Sequence, residues 1–192
     1  MELGRIDLSK LHIKIISTIL GLGFLFLGLW LIRHQFLYVD LDLYEIIIYL
    51  VYLLIFEIII HELFHYITGK KILKRECELN YKFSFHNFIG RKLGIPITNF
   101  PQRPSHPICR IVGVSTATEK FYFSIAPLIL FTVIWGSLSI FVSKAFLYPL
   151  VFSLAPCIGD LFYLVFIFYY KLRYFRETLF FVDLGSTLIC KK

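Results

Sequence analysis

The sequence predicts a mainly α, polytopic membrane protein, with four transmembrane helices and a small cytoplasmic β-containing insert between the second and the third. Three observations carry this. Of 192 residues, 58% are hydrophobic and only 17% are charged, which is too apolar for a soluble globule and suits the bilayer as solvent. Long runs carry no charge, and basic residues gather beside their ends. Only residues 70–120 form a long polar stretch, rich in Pro, Gly and Asn. That stretch reads as an insert and leaves the chain as a single membrane domain.

Residues 1–14 read as a polar lead carrying Arg5, Lys10 and Lys14. The first span, about 15–32, has eighteen residues without a charge, just enough at 1.5 Å per residue to cross a hydrocarbon core of roughly 30 Å. Arg33-His34-Gln35 follows it, with no small-x-small cleavage pattern, so it reads as a retained anchor. Ser17, Gly21 and Gly28 offer small faces for helix packing. Asp40, Asp42 and Glu45 form an acidic connection to the second span, about 43–68, which ends at Gly69-Lys70-Lys71.

In the insert, Asn80, Asn87, Gly90, Gly94, Pro96, Pro101, Pro104 and Pro107 break helical periodicity. The runs Leu79 to Phe85 and Ile108 to Val114 predict strands of one or two hairpins. The third span, about 121–142, is uncharged and has Pro127 near its start. Ser143 and Lys144 separate it from the fourth, about 145–170, whose single charge is Asp160. Pro156 and Gly159 predict that the fourth helix is kinked or unwound just before that carboxylate. A tail, 171–192, opens with Lys171, Arg173 and Arg176 and ends in a short apolar run, Leu179 to Cys190.

Positive charge predicts the orientation, because Lys and Arg accumulate on the cytoplasmic side. Three precede the first span, ten lie between the second and third, five follow the fourth, and one sits in each other loop. Both termini and the insert are therefore expected in the cytoplasm. The net charge of +7 belongs with the membrane surface, since the basic residues flank apolar helices, and no nucleic-acid partner is expected. The four cysteines, Cys77, Cys109, Cys157 and Cys190, include no C-x-x-C pair and are expected as reduced thiols.

The chemistry-bearing stretch is His61-Glu62-Leu63-Phe64-His65, at the cytoplasmic end of the second span. In a helix, histidines at i and i+4 share one face and can bind one zinc, with the glutamate about 100° away as a base beside its water. A catalytic zinc takes three protein ligands and leaves a position open. Asp160 is the expected third. It lies eleven residues before Lys171, and His61 lies nine before Lys70, so both sit roughly 14–17 Å in from the same side of the membrane. Glu57, at i−4 to His61, is the rival. One helix cannot easily wrap Glu57, His61 and His65 around a single ion, so a supporting role, holding an imidazole tautomer, fits it better. A looser set, Cys77, His86, His106 and Cys109, matches no familiar structural-zinc spacing.

This pattern, H-E-x-x-H ending a membrane helix with an aspartate from a later Pro-interrupted one, resembles the site-2 protease class of intramembrane zinc metalloproteases. The small size, the insert after the zinc helix, Ala126-Pro127 and Gly159-Asp160 look more like a bacterial family of zincin peptidases of unknown function. The resemblance spans roughly residues 46–170. It implies zinc on His61, His65 and Asp160, Glu62 as the catalytic base, a bacterial cell membrane, and a membrane protein or membrane-associated peptide as substrate. Ser153-Leu154-Ala155-Pro156-Cys157-Ile158-Gly159-Asp160 departs from the asparagine-proline and Leu-Asp-Gly elements of site-2 proteases. The competing expectation is a non-catalytic membrane adaptor or partner-stabilising subunit that keeps zinc as a structural clamp. The insert is expected either to add a strand edge for substrate or to be a passive surface loop.

Overall fold

The computed structural model describes residues 1–7, 10–36, 43–52, 57–80, 84–97, 108–184 and 187–192. They form a mostly helical molecule with two small sheets. Asp40, Asp42, His106, Pro101, Pro104 and Pro107 lie outside the described residues.

Helix α1 (Leu11–Leu31) starts earlier than the expected span and runs on into a π-helical turn, Ile32–Phe36. Its apolar segment His12–His34 is 23 residues long, roughly 34 Å at the helical rise, enough to cross a membrane. Ile19, Phe26 and Trp30 face outward, as lipid-facing side chains do. Gly28 is where the bundle grips this helix. A Cβ there would stand 2.7 Å from Val151 Cγ1, so the absent side chain lets α1 approach closely.

The second expected span corresponds to α2 (Leu43–Tyr52) and α3 (Ile58–Ile67), and the link between them, residues 53–56, lies outside the described residues. Helix α5 (Ala117–Phe141) is 25 residues long and apolar enough to span. Its start is fixed by a capping box: Thr116 Oγ1 accepts from the Glu119 amide while Glu119 accepts from the Thr116 amide. Ser143 caps the short turn that follows. The fourth expected span is broken into α6 (Leu147–Leu154) and α7 (Ile158–Arg173), bent by 60°, where Pro156 and Gly159 anticipate a break. Among the described residues, two helices are thus long and apolar enough to cross, or three with the bent pair counted as one.

The predicted polar lead and tail are corrected by a four-stranded antiparallel sheet. Strands β1 (Glu2–Asp7), β6 (Thr187–Lys191), β5 (Phe180–Asp183) and β4 (Val114–Thr116) lie side by side in that order. Leu179, Phe181, Leu188 and Cys190 turn inward onto Tyr163, Ile167 and Ala117, following the strand period of two. The sheet ties both termini together, with the Met1 ammonium donating to Lys192 O at 3.1 Å. It also collects the start of α1, the start of α5 and the end of α7 at one side of the bundle.

The insert differs from its expectation in two places. Strand β2 (Cys77–Asn80) ends before Ser84 and Phe85, which belong to helix α4 (Ser84–Lys92). Asn87 and Gly90 sit inside that helix because packing overrides their weak propensity: His86 and Gly90, one turn apart, form its buried face. The run Ile108 to Val114 is divided at Gly113, whose φ of +84° suits glycine. Strand β3 (Ile108–Ile111) pairs with β2, while β4 joins the terminal sheet. One face of the β2–β3 pair, Cys77, Leu79, Cys109 and Ile111, packs on Ile59 of α3 and Phe123 of α5. On the other face Arg110 bonds Glu78 at 2.6 Å.

Candidate metal centre

Helix α3 places Ile59, His61, Glu62 and His65 in the interior. Strands β2 and β3 of the insert and helix α5 pack against it. The break before α7 brings Asp160 into the first turn of that helix. Asp160 Oδ2 then lies 3.0 Å from His61 Nε2 and 3.2 Å from His65 Nε2. Among the described residues, His61, His65 and Asp160 are the group that could hold a metal ion, with donor atoms within 4.8 Å of one another.

The donor chemistry fits a cation. His65 Nδ1 is 2.7 Å from the carbonyl oxygen of Phe123, and a carbonyl only accepts, so Nδ1 carries the proton. A neutral His65 therefore presents a bare Nε2 lone pair to a carboxylate oxygen. Two acceptors at 3.2 Å need a proton or a cation between them, and one ion serves both imidazoles where two buried imidazoliums would repel. The separations of 3.0 and 3.2 Å are close to the edge of about 3.3 Å in a zinc tetrahedron with nitrogen and oxygen ligands. With three protein donors among the described residues, one tetrahedral position stays open to water.

Glu62 is buried beside the cluster, near enough to His61, His65 and Asp160 to interact electrostatically with each, and its carboxylate takes a hydrogen bond from the Cys109 backbone amide. It is the carboxylate nearest in sequence to both histidines, held between the ligands and strand β3.

Glu57 is fully buried, but its bond runs elsewhere: Ser153 Oγ donates to Glu57 Oε2 at 3.0 Å. The expected task of holding an imidazole tautomer falls to other groups, Phe123 O for His65 and Cys157 Sγ, 3.7 Å from Nδ1, for His61. Cys77 and Cys109 are part of the apolar hairpin face, and His86 is on α4, so the looser ligand set is not assembled among the described residues.

Sequence reasoning missed a buried ion pair behind the site. Lys120 of α5 donates to Asp183 of β5, both enclosed. The Lys120 ammonium also sits 4.7 Å from the Phe123 ring centroid and 5.4 Å from that of Tyr163. Phe123 stacks on His65 at 4.8 Å, and Tyr163 lies one turn beyond Asp160. A single lysine thus braces the supports of two of the three donors and joins them to the terminal sheet.

Comparison with protein-family models, with curated proteins and with solved structures finds no match to this chain.

Proposed function

We propose that this chain is a membrane-embedded zinc metalloprotease that hydrolyses peptide bonds of membrane-associated substrates at the cytoplasmic face. The observation that carries the reading is the convergence of His61, His65 and Asp160 on one point with Glu62 beside them. Bound there, zinc supplies a Lewis acid for the scissile carbonyl and a water whose pKa is lowered toward about 7. Glu62 takes the proton of the attacking water on its carboxylate and returns it to the departing amine. Three donors among the described residues, with a fourth tetrahedral position left over, favour this over a closed structural clamp in an adaptor protein.

Strand β3 supports a mode of substrate binding. Val112 N bonds Glu76 O at 2.9 Å, and Cys77 faces Ile111 while Leu79 faces Cys109. By antiparallel alternation, the amides and carbonyls of Cys109 and Ile111 point away from β2. That outer edge meets Glu62 at Cys109, so an extended substrate paired to it would run past the base. Helical substrates must unwind to do so, since their amides are internally bonded.

The four-span topology with cytoplasmic termini is part of the proposal. The sheet that holds both termini and the start of α5 supports an even number of crossings, and the basic residues favour the cytoplasm for that side. The resemblance to site-2 proteases and to bacterial zincin peptidases, and hence a bacterial cell membrane, belongs to the same reading.

The test is cleavage of peptide reporters tethered to a transmembrane segment by the purified full chain. Cleavage that stops on chelation and returns with added zinc supports the proposal. Cleavage indifferent to chelation contradicts it.

A further inference from the structure

Both imidazoles are held from behind by groups set free where a neighbouring helix lacks a backbone hydrogen bond, at Pro127 inside α5 and at the break between α6 and α7. In α5 the carbonyl of Phe123 would ordinarily accept the amide of residue 127, but Pro127 has none. That carbonyl is free, and His65 Nδ1 takes it at 2.7 Å. On the other side, the break between α6 and α7 turns the Cys157 amide to Leu154 O at 3.1 Å, one residue short of the helical pattern. Ser153 O is thereby left to the Cys157 thiol, which donates to it at 3.5 Å. A thiol that donates to Ser153 O offers its sulfur lone pairs to His61 Nδ1, 3.7 Å away. Cys157 is 1% exposed, so water does not compete for the contact.

We infer that Pro127 and Cys157 are positioning residues for the metal ligands: the missing backbone bond in α5 and the break between α6 and α7 fix the Nδ1–H tautomers of His65 and His61 and aim both Nε2 atoms at Asp160. The inference rests on the reading of His61, His65 and Asp160 as metal donors. Groups that orient metal-bound histidines set ligand basicity and ring direction, and their loss weakens metal binding by about 10–100-fold.

Pro127→Ala separates positioning from mere structure. It restores an amide to α5 that competes with His65 for Phe123 O, so the helix gains a bond while the metal site loses one. The experiment measures zinc affinity of the full chain in detergent by chelator competition, with thermal stability and the absorption spectrum of the cobalt-substituted protein recorded alongside. The expected result for Pro127→Ala is unchanged or higher thermal stability, zinc affinity lowered by about 10–100-fold, and an altered cobalt spectrum. Cys157→Ala lowers zinc affinity in the same direction, and Cys157→Ser, which keeps a donor and an acceptor, restores most of it. Wild-type affinity and spectrum in both Pro127→Ala and Cys157→Ala overturn this inference alone. A wild-type chain that takes up no zinc overturns the metal reading and this inference with it.

Discussion

Asp160 Oδ2 lies 3.0 Å from His61 Nε2, an aspartate from the first turn of α7 set against a histidine in the middle of α3. Replacing Asp160 by alanine removes the only carboxylate of the donor set and leaves two buried imidazoles to hold the ion. Zinc content of the purified variant is expected to fall at least about tenfold, in line with the loss of orienting or ligating groups in other metal sites. Metal analysis after gel filtration checks it, and a normal metal load would exclude Asp160 as a ligand.

Lys120 and Asp183 stabilise the junction of α5 with the terminal sheet only as a pair. Lys120→Met breaks this buried ion pair by removing its cation, which costs about 3–5 kcal/mol. The double variant Lys120→Met, Asp183→Leu should recover most of that loss, since apolar replacement of a buried pair is often near neutral. Thermal melts of the two proteins decide the matter.

Gly69 follows the motif by one helical turn and packs where no side chain fits. A Cβ there would overlap Cys77 Sγ and stand 3.1 Å from the Phe123 ring. Gly69→Ala should destabilise the fold by about 1–3 kcal/mol and weaken zinc binding, because Phe123 carries the hydrogen bond to His65. Stability and chelator competition in parallel measure both effects.

Burial pushes the Cys77 and Cys190 thiols up from 9.0 to about 11. A thiol whose folded value is raised holds its proton more tightly folded than unfolded. Its contribution is full below pH 9 and is lost as pH rises toward 11. Alkylation of these cysteines at pH 8 should therefore be slow in the native protein and fast after denaturation, and stability should decline across pH 9–11.

Most of the site can be read from the chain. His61, Glu62 and His65 declare themselves by spacing, and Asp160 by its distance along the chain from the basic end of its helix, which the helical rise converts into a height matching that of His61. Pro156 and Gly159 announce the bend before α7. The supports of the histidines are harder, yet one signal is present: Pro127 stands four residues after Phe123, which marks that carbonyl as unpaired in a helix. The terminal sheet is less legible. Its strands have three to six residues, and β1 pairs with β6 at the opposite end of the chain, a partnership that no local pattern encodes. Helix α4 is hidden by Asn87 and Gly90, which read as breakers until Gly90 is seen turned into the interior.

The most direct test of the central claim is the zinc content and cleavage rate of the Glu62→Gln chain, measured on one preparation beside the wild type. The glutamine keeps the size of the side chain and leaves all three donors in place, but it cannot take a proton. The account predicts zinc bound as in the wild type and cleavage of membrane-tethered reporters reduced by about 10²–10⁴-fold, the usual worth of a general base. Cleavage at the wild-type rate would contradict it.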